Sequence, residues 1–160
     1  MIGQKKTSSD PSIKREGLKM TKSKALKVLA ITFFASGLWD LGGGFFYSFM
    51  VGTGRSIDTP PVHPFYAIFI AAFLFCFAYL QVLSALNIRR YLFNIGVVII
   101  GRIFYVVLLC AYMFFVPDFP STFWWTGIID LFFLILYIVL TLISDEISLK
   151  DLFIPYREVS

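Results

Sequence analysis

A chain of 160 residues has room for one ordinary domain, yet at 58% hydrophobic and 15% charged it has too little polar surface to cover such a domain in water. An ordinary water-soluble globular protein is therefore excluded. The net charge of +4 does not point to nucleic acid either, because the surplus lysine and arginine is concentrated ahead of the first apolar block, where it would meet anionic lipid.

Residues 1–24 are polar and basic, without apolar periodicity, and are expected to be disordered or a loose surface helix. Four apolar blocks follow: Leu26–Met50, Pro64–Leu86, Tyr91–Val116 and Thr122–Ile143. Each has the length of about 20 residues or more that a helix needs to cross about 30 Å of hydrocarbon. The first is expected to be a retained span, since a long polar tail precedes it and its apolar run exceeds that of a secretory signal. The link at 51–62, with Gly52, Gly54, Pro60 and Pro61, reads as an irregular loop, and Pro117 and Pro120 mark a second, tighter turn. Asn87–Arg90 is a short link, so the second and third spans are antiparallel neighbours. The expected fold is all-α, a membrane-spanning up-and-down four-helix bundle over residues 25–144. Residues 145–160 form a tail with a short interfacial helix, whose Leu149, Leu152 and Phe153 are expected to lie on the membrane surface.

Orientation follows from the basic residues. Twelve lysines and arginines lie in the two tails and the 87–90 link, against Arg55 alone in the opposite links. The positive-inside rule then places both termini in the cytoplasm of a plasma (inner) membrane protein. Trp124 and Trp125 open the fourth span at the outer interface, where amphipathic rings prefer to sit. Helices associate in lipid through small residues. Ala71, Ala78 and Ala85, with Ala67 and Gln81 nearby, therefore mark a packing seam on the second span, as Gly96 and Gly101 do on the third and Gly37 and Gly42–Gly44 on the first. Cys76 and Cys110 differ in depth by about 14 Å at helical rise. A disulfide needs Cα atoms within about 7 Å, so both thiols are expected to be free.

Three ionisable residues lie deep within the spans: Asp40, Arg102 and Asp130. Each costs about 2.5–3.5 kcal/mol at the bilayer centre when alone, so a small protein should bring them together. At about 1.5 Å per residue from the inner ends of the spans, their depths are about 21, 17 and 20 Å. Arg102 is therefore expected to bridge Asp40 and Asp130 in one buried layer. Ser36 and Tyr47 share the face of Asp40, Tyr105 that of Arg102, and Tyr137 that of Asp130, making these four the expected lining. Two readings of the cluster stand side by side. It holds helices in register, or its formal surplus of one negative charge binds a proton, a cation or a polar substrate. Gln81, counted at about 6 Å from the inner face, is expected to form a helix–helix hydrogen bond rather than belong to that layer.

His63, beside prolines in the outer loop, reads as solvated rather than metal-bound. No span contains a histidine to ligate haem, and there is no zinc-protease, nucleophile-elbow or phosphate-loop motif. No catalytic residue, metal or cofactor is expected, and the chain is not expected to be an enzyme.

The Asp in the first span, the proline-ended outer loop, Gly101-Arg102 in the third span and Asp130-Leu131 in the fourth resemble the small bacterial four-helix membrane proteins grouped as DoxX-like. The resemblance covers Leu26–Ile143 and implies the four-helix membrane fold, without an activity. The chain is also similar to small multidrug transporters in size class and in the carboxylate of its first span. It departs from them in its long tail and strong charge bias. The expected function is that of a non-enzymatic accessory or helper protein in the lipid bilayer, with a membrane-protein partner or as a homo-oligomer and without nucleic acid. The alternative is a small proton- or ion-coupled transporter acting as an oligomer.

Overall fold

The computed structural model describes residues 11–51, 53, 63–117, 119–120, 123–144, 147 and 149–153, with side chains from Lys24 onward except Leu149. It is all-α: α1 Pro11–Phe46, α2 Pro64–Leu86, α3 Leu92–Phe115, α4 Phe123–Ile143 and the single turn α5 Leu149–Phe153. Tyr47–Val51 prolongs α1 as a π-helical turn. Four of these helices are long and apolar enough to cross a membrane, and the first such stretch is Lys24–Val51. The chain is a multi-pass membrane protein.

Its surface agrees with lipid as solvent. Phe104, Phe115, Leu86, Phe69 and Trp125 point outward, whereas Ser36, Gln81, Ser84, Thr141 and Arg102 are buried. Such an arrangement is unstable in water and natural in hydrocarbon, where exposed apolar side chains cost nothing and polar groups must find partners inside. Cys76 and Cys110 are both free and exposed on this outer surface.

The helices pack as a ring in chain order, α1 against α2, α2 against α3, α3 against α4, and α4 back against α1. The α1–α2 seam is built from small residues. Ala67, Ala71 and Ala78 are buried there, and a Cβ on Gly37 would stand 3.0 Å from Val82 and 3.3 Å from the Ala78 carbonyl oxygen. The backbones are thus as close as van der Waals contact allows, which is how helices adhere without a hydrophobic driving force. The link after α2 is a tight turn in which the Arg90 amide donates to both the backbone and the side-chain oxygen of Asn87. At the other end of α2 the exposed His63 caps the helix, its Nδ1 accepting from the Phe65 amide at 3.3 Å.

Two expectations are corrected at the end of the bundle that carries the termini. The stretch 11–24, expected to be disordered or a loose surface helix, is helical and continuous with the first span, so α1 runs 36 residues, about 54 Å. Pro11 suits its start, where a missing N–H is no loss. Residues 1–10, with most of the outer loop at 51–62, lie outside the described residues. The second correction concerns the last turn. Leu152 does not lie on a membrane surface. It is fully buried with Ile147, Leu29, Phe33, Ile88 and Ile95 in the main apolar cluster, while Phe153 remains partly exposed. The α5 backbone presses so closely on α3 that a Cβ at Gly96 would collide with the Leu152 carbonyl. An apolar residue gains more by filling the open end of the bundle than by resting on it, so α5 is a cap.

Candidate functional site

The middle of the bundle holds one polar layer. Arg102 on α3, 4% exposed, is its centre, with Asp40 on α1 at 6% and Asp130 on α4 at 9%. The Arg102 Nη2 lies 3.0 Å from Asp40 Oδ2 and 3.2 Å from its Oδ1, and Nη1 pairs with Asp130 Oδ1. One guanidinium thus bridges two carboxylates on different helices, each from its own nitrogen, a wider and more rigid span than the three donors on a single lysine nitrogen offer. The Phe133 ring covers the guanidinium carbon at 5.3 Å, adding a cation–π contact in a dry setting.

Hydrogen bonds tie the remaining polar groups to this bridge. Ser36 Oγ accepts from Arg102 Nη2 at 2.6 Å and donates to Gln81 Oε1. Gln81 Nε2 donates to Asp40 Oδ2. The Tyr137 hydroxyl, on a side chain with no exposed surface, donates to Gln81 Oε1 at 3.3 Å. Its ring stacks on Phe33 at 4.2 Å, which fixes the hydroxyl in place.

Of the expected lining, Ser36 and Tyr137 therefore belong to the network. Tyr105 and Tyr47 do not. Tyr105, 38% exposed, bonds Thr126 at 2.8 Å on the outer flank of α3 and α4. Tyr47 is half-buried on the π-helical turn, with its ring against Phe46. Helical spacing places these rings on the right face, but the Tyr105 hydroxyl is taken up by Thr126 and the Tyr47 ring packs on Phe46, so neither bonds the ionic layer. The Tyr105→Phe variant is accordingly expected to melt with a stability change within about 0.5 kcal/mol of the parent. A loss of several times that in a thermal unfolding series would place the phenol in the network after all.

Gln81 is the member that depth counting misplaced. Side chains on a helix lean toward its N-terminus. On α2, which runs toward the termini end, Gln81 leans away from that end. Asp40 and Arg102, on helices running the other way, lean toward it. Residues whose backbones differ in level meet because their side chains converge. The signal was present in the sequence: an amide among small residues on a seam facing α1.

A second polar tier follows one turn nearer the termini end, with Thr32 four residues before Ser36, Ser84 three after Gln81 and Thr141 four after Tyr137. Thr32 and Ser84 donate to their own helices, at Val28 and Leu80 carbonyls 2.9 and 2.7 Å away. Thr141 and, beyond it, Ser144 are each 1% exposed, and among the described residues their hydroxyls have no hydrogen-bond partner.

The ionic layer is closed. A cavity of about 350 Å³ lies between the end of α3 and Trp124, beginning at Met113, about 16 Å along α3 from Arg102. No group of three or more potential metal ligands occurs among the described residues. Comparison with family models, curated proteins and solved structures finds nothing that matches this chain.

Proposed function

We propose that the chain is a non-enzymatic accessory protein of a bacterial inner membrane, with both termini in the cytoplasm, whose ionic network holds the four helices in one register. The observation that carries this reading is the enclosure of the network. Arg102 engages both carboxylates, and Ser36, Gln81 and Tyr137 direct their polar atoms at one another, although the buried Arg102 Nε has no hydrogen-bond partner among the described residues. Buried charge that serves register and partner geometry is the best-attested use of such groups. The twelve-to-one distribution of basic residues supports the orientation. The resemblance of Leu26–Ile143 to the DoxX-like proteins supports the membrane setting. A partner is expected to be another membrane protein, because the outer surface of the bundle offers little beyond apolar side chains for recognition.

The second reading, proton- or ion-coupled transport by an oligomer, is favoured by one feature. Two carboxylates share a single guanidinium, so the trio carries a formal surplus of one negative charge. Liposomes containing the purified protein distinguish the two. The accessory reading expects an imposed pH gradient to decay as in empty liposomes. It also expects Asp40→Asn and Asp130→Asn to lower the unfolding temperature. A gradient that collapses with the parent and persists with a folded Asp130→Asn variant would replace it by the transporter.

A further inference from the structure

The part of α1 that precedes its apolar stretch carries its positive charge on one side. Residues about 18 apart, five turns along, return to the same face of an α-helix. On that count Lys14 is in register with Thr32, Arg15 with Phe33, Lys19 with Gly37 and Lys22 with Asp40, and these four later positions are all buried in the bundle. The other side of the same stretch behaves differently. Ile13, Glu16, Gly17, Met20 and Thr21 are in register with the exposed Ile31, Phe34, Ala35, Leu38 and Trp39, and there is no cation among them. Lys24 and Lys27, at the edge of the apolar stretch, are exposed and in register with the exposed Gly42 and Phe45. These two lysines are placed for lipid headgroups. The four cations before them continue the face that turns away from lipid.

Height separates the two sets as well. α1 is unbroken from Pro11, and its apolar stretch begins at Lys24. Arg15 therefore stands about 13 Å beyond Lys24 along the axis, whereas a headgroup layer is about 5–8 Å thick. A basic helix that binds a membrane surface lies in its plane, and α1 has no break that would let it do so. The chain's own acids do not balance the charge. Of its ten, Asp40, Asp58, Asp118 and Asp130 lie in the spans or the opposite links, leaving six at the termini end against twelve basic residues. We infer that the face of Lys14, Arg15, Lys19 and Lys22 is a docking surface for an acidic protein segment held beneath the bundle, a loop or tail of the partner membrane protein. The inference rests on the accessory reading and gives that partner its chemistry. A helix anchored in the bundle holds these cations in one line, so docking does not bear the cost of ordering a loose tail.

The test is the binding of a fluorescent polyglutamate peptide to the full chain in phosphatidylcholine nanodiscs, read by anisotropy. The parent is expected to bind it. Lys14→Gln, Arg15→Gln, Lys19→Gln and Lys22→Gln together are expected to weaken binding by about ten-fold or more. Glutamine keeps the helix propensity, and eight of the twelve basic residues remain to hold the orientation. Lys5→Gln, Lys6→Gln, Lys24→Gln and Lys27→Gln remove the same charge from other positions and are expected to weaken binding by less than about three-fold. Equal losses in the two variants would reduce the surface to net charge and overturn the inference, as would a parent that does not bind. Two rival occupants would overturn it too. Anionic lipid is the occupant if native mass spectrometry shows bound phosphatidylglycerol lost from the first variant and kept by the second. The chain's own acids are the occupant if Asp145→Asn, Glu146→Gln and Glu158→Gln together raise the affinity for the peptide by about ten-fold. The pH-gradient assay in liposomes judges the accessory reading by itself, so its failure and that of the docking surface are told apart.

Discussion

Replacing Arg102 by glutamine is expected to destabilise the protein by about 3–5 kcal/mol, the usual consequence of removing one partner from a buried charge network. The loss is large because two carboxylates would remain in a layer that is 6% and 9% exposed, with no cation between them. Total stabilities are commonly 5–15 kcal/mol, so the variant would lie near the threshold of folding. Arg102→Lys is expected to recover only part of the loss, because its donors sit on one nitrogen and span less than Nη2 and Nη1, which each hold one carboxylate. The triple variant Asp40→Asn, Arg102→Gln, Asp130→Asn carries no charge in the layer and is expected to be more stable than Arg102→Gln alone, despite having more substitutions. Thermal unfolding in a mild detergent, followed by circular dichroism, orders the four proteins. An Arg102→Gln protein that melts with the parent would mean that the bridge contributes nothing.

Gln81→Leu is the second large effect, and its size separates two accounts of the residue. An isolated hydrogen bond between membrane helices contributes about 0.6 kcal/mol on average. A residue that donates to Asp40 and accepts from Ser36 and Tyr137 leaves all three without that partner when it is lost. Each buried polar group stranded in this way costs about 1–3 kcal/mol. The expected destabilisation is therefore at least about 2 kcal/mol. Gln81→Ala, which also opens a cavity, is expected to be worse, whereas Gln81→Asn, too short to reach both neighbours, should fall in between. A Gln81→Leu change of only a few tenths would return the residue to the role of an ordinary interhelical contact.

Much of the architecture could be read without coordinates, for a plain physical reason. Hydrocarbon imposes a length on every crossing segment and penalises every unpaired charge. Pro64–Leu86 is therefore the second helix residue for residue, and the other spans begin or end within a residue or two of expectation, except where α1 extends back to Pro11. The same penalty made the pairing of Arg102 with Asp40 and Asp130 legible, since three lone charges at similar depth have one economical arrangement. The alanine seam of α2 was equally visible in its seven-residue spacing.

Other features depended on how the helices lie against one another. Depth counted along separate spans assumes that their ends are level, and here they are not, because α1 continues well past the point where α2 stops. Gln81 consequently joins the ionic layer, which its distance from the end of its own helix had hidden. Tyr47 and Tyr105 share a helical face with the charges but find other neighbours, Phe46 and Thr126, and a face carries no information about which neighbour a side chain meets. The burial of Leu152 was beyond local pattern as well, since an amphipathic turn reads alike whether it meets lipid or the open end of a bundle. Periodicity and length act along one helix at a time, whereas contacts between helices depend on their relative shift and on where side chains lean, and only the packed bundle settles both.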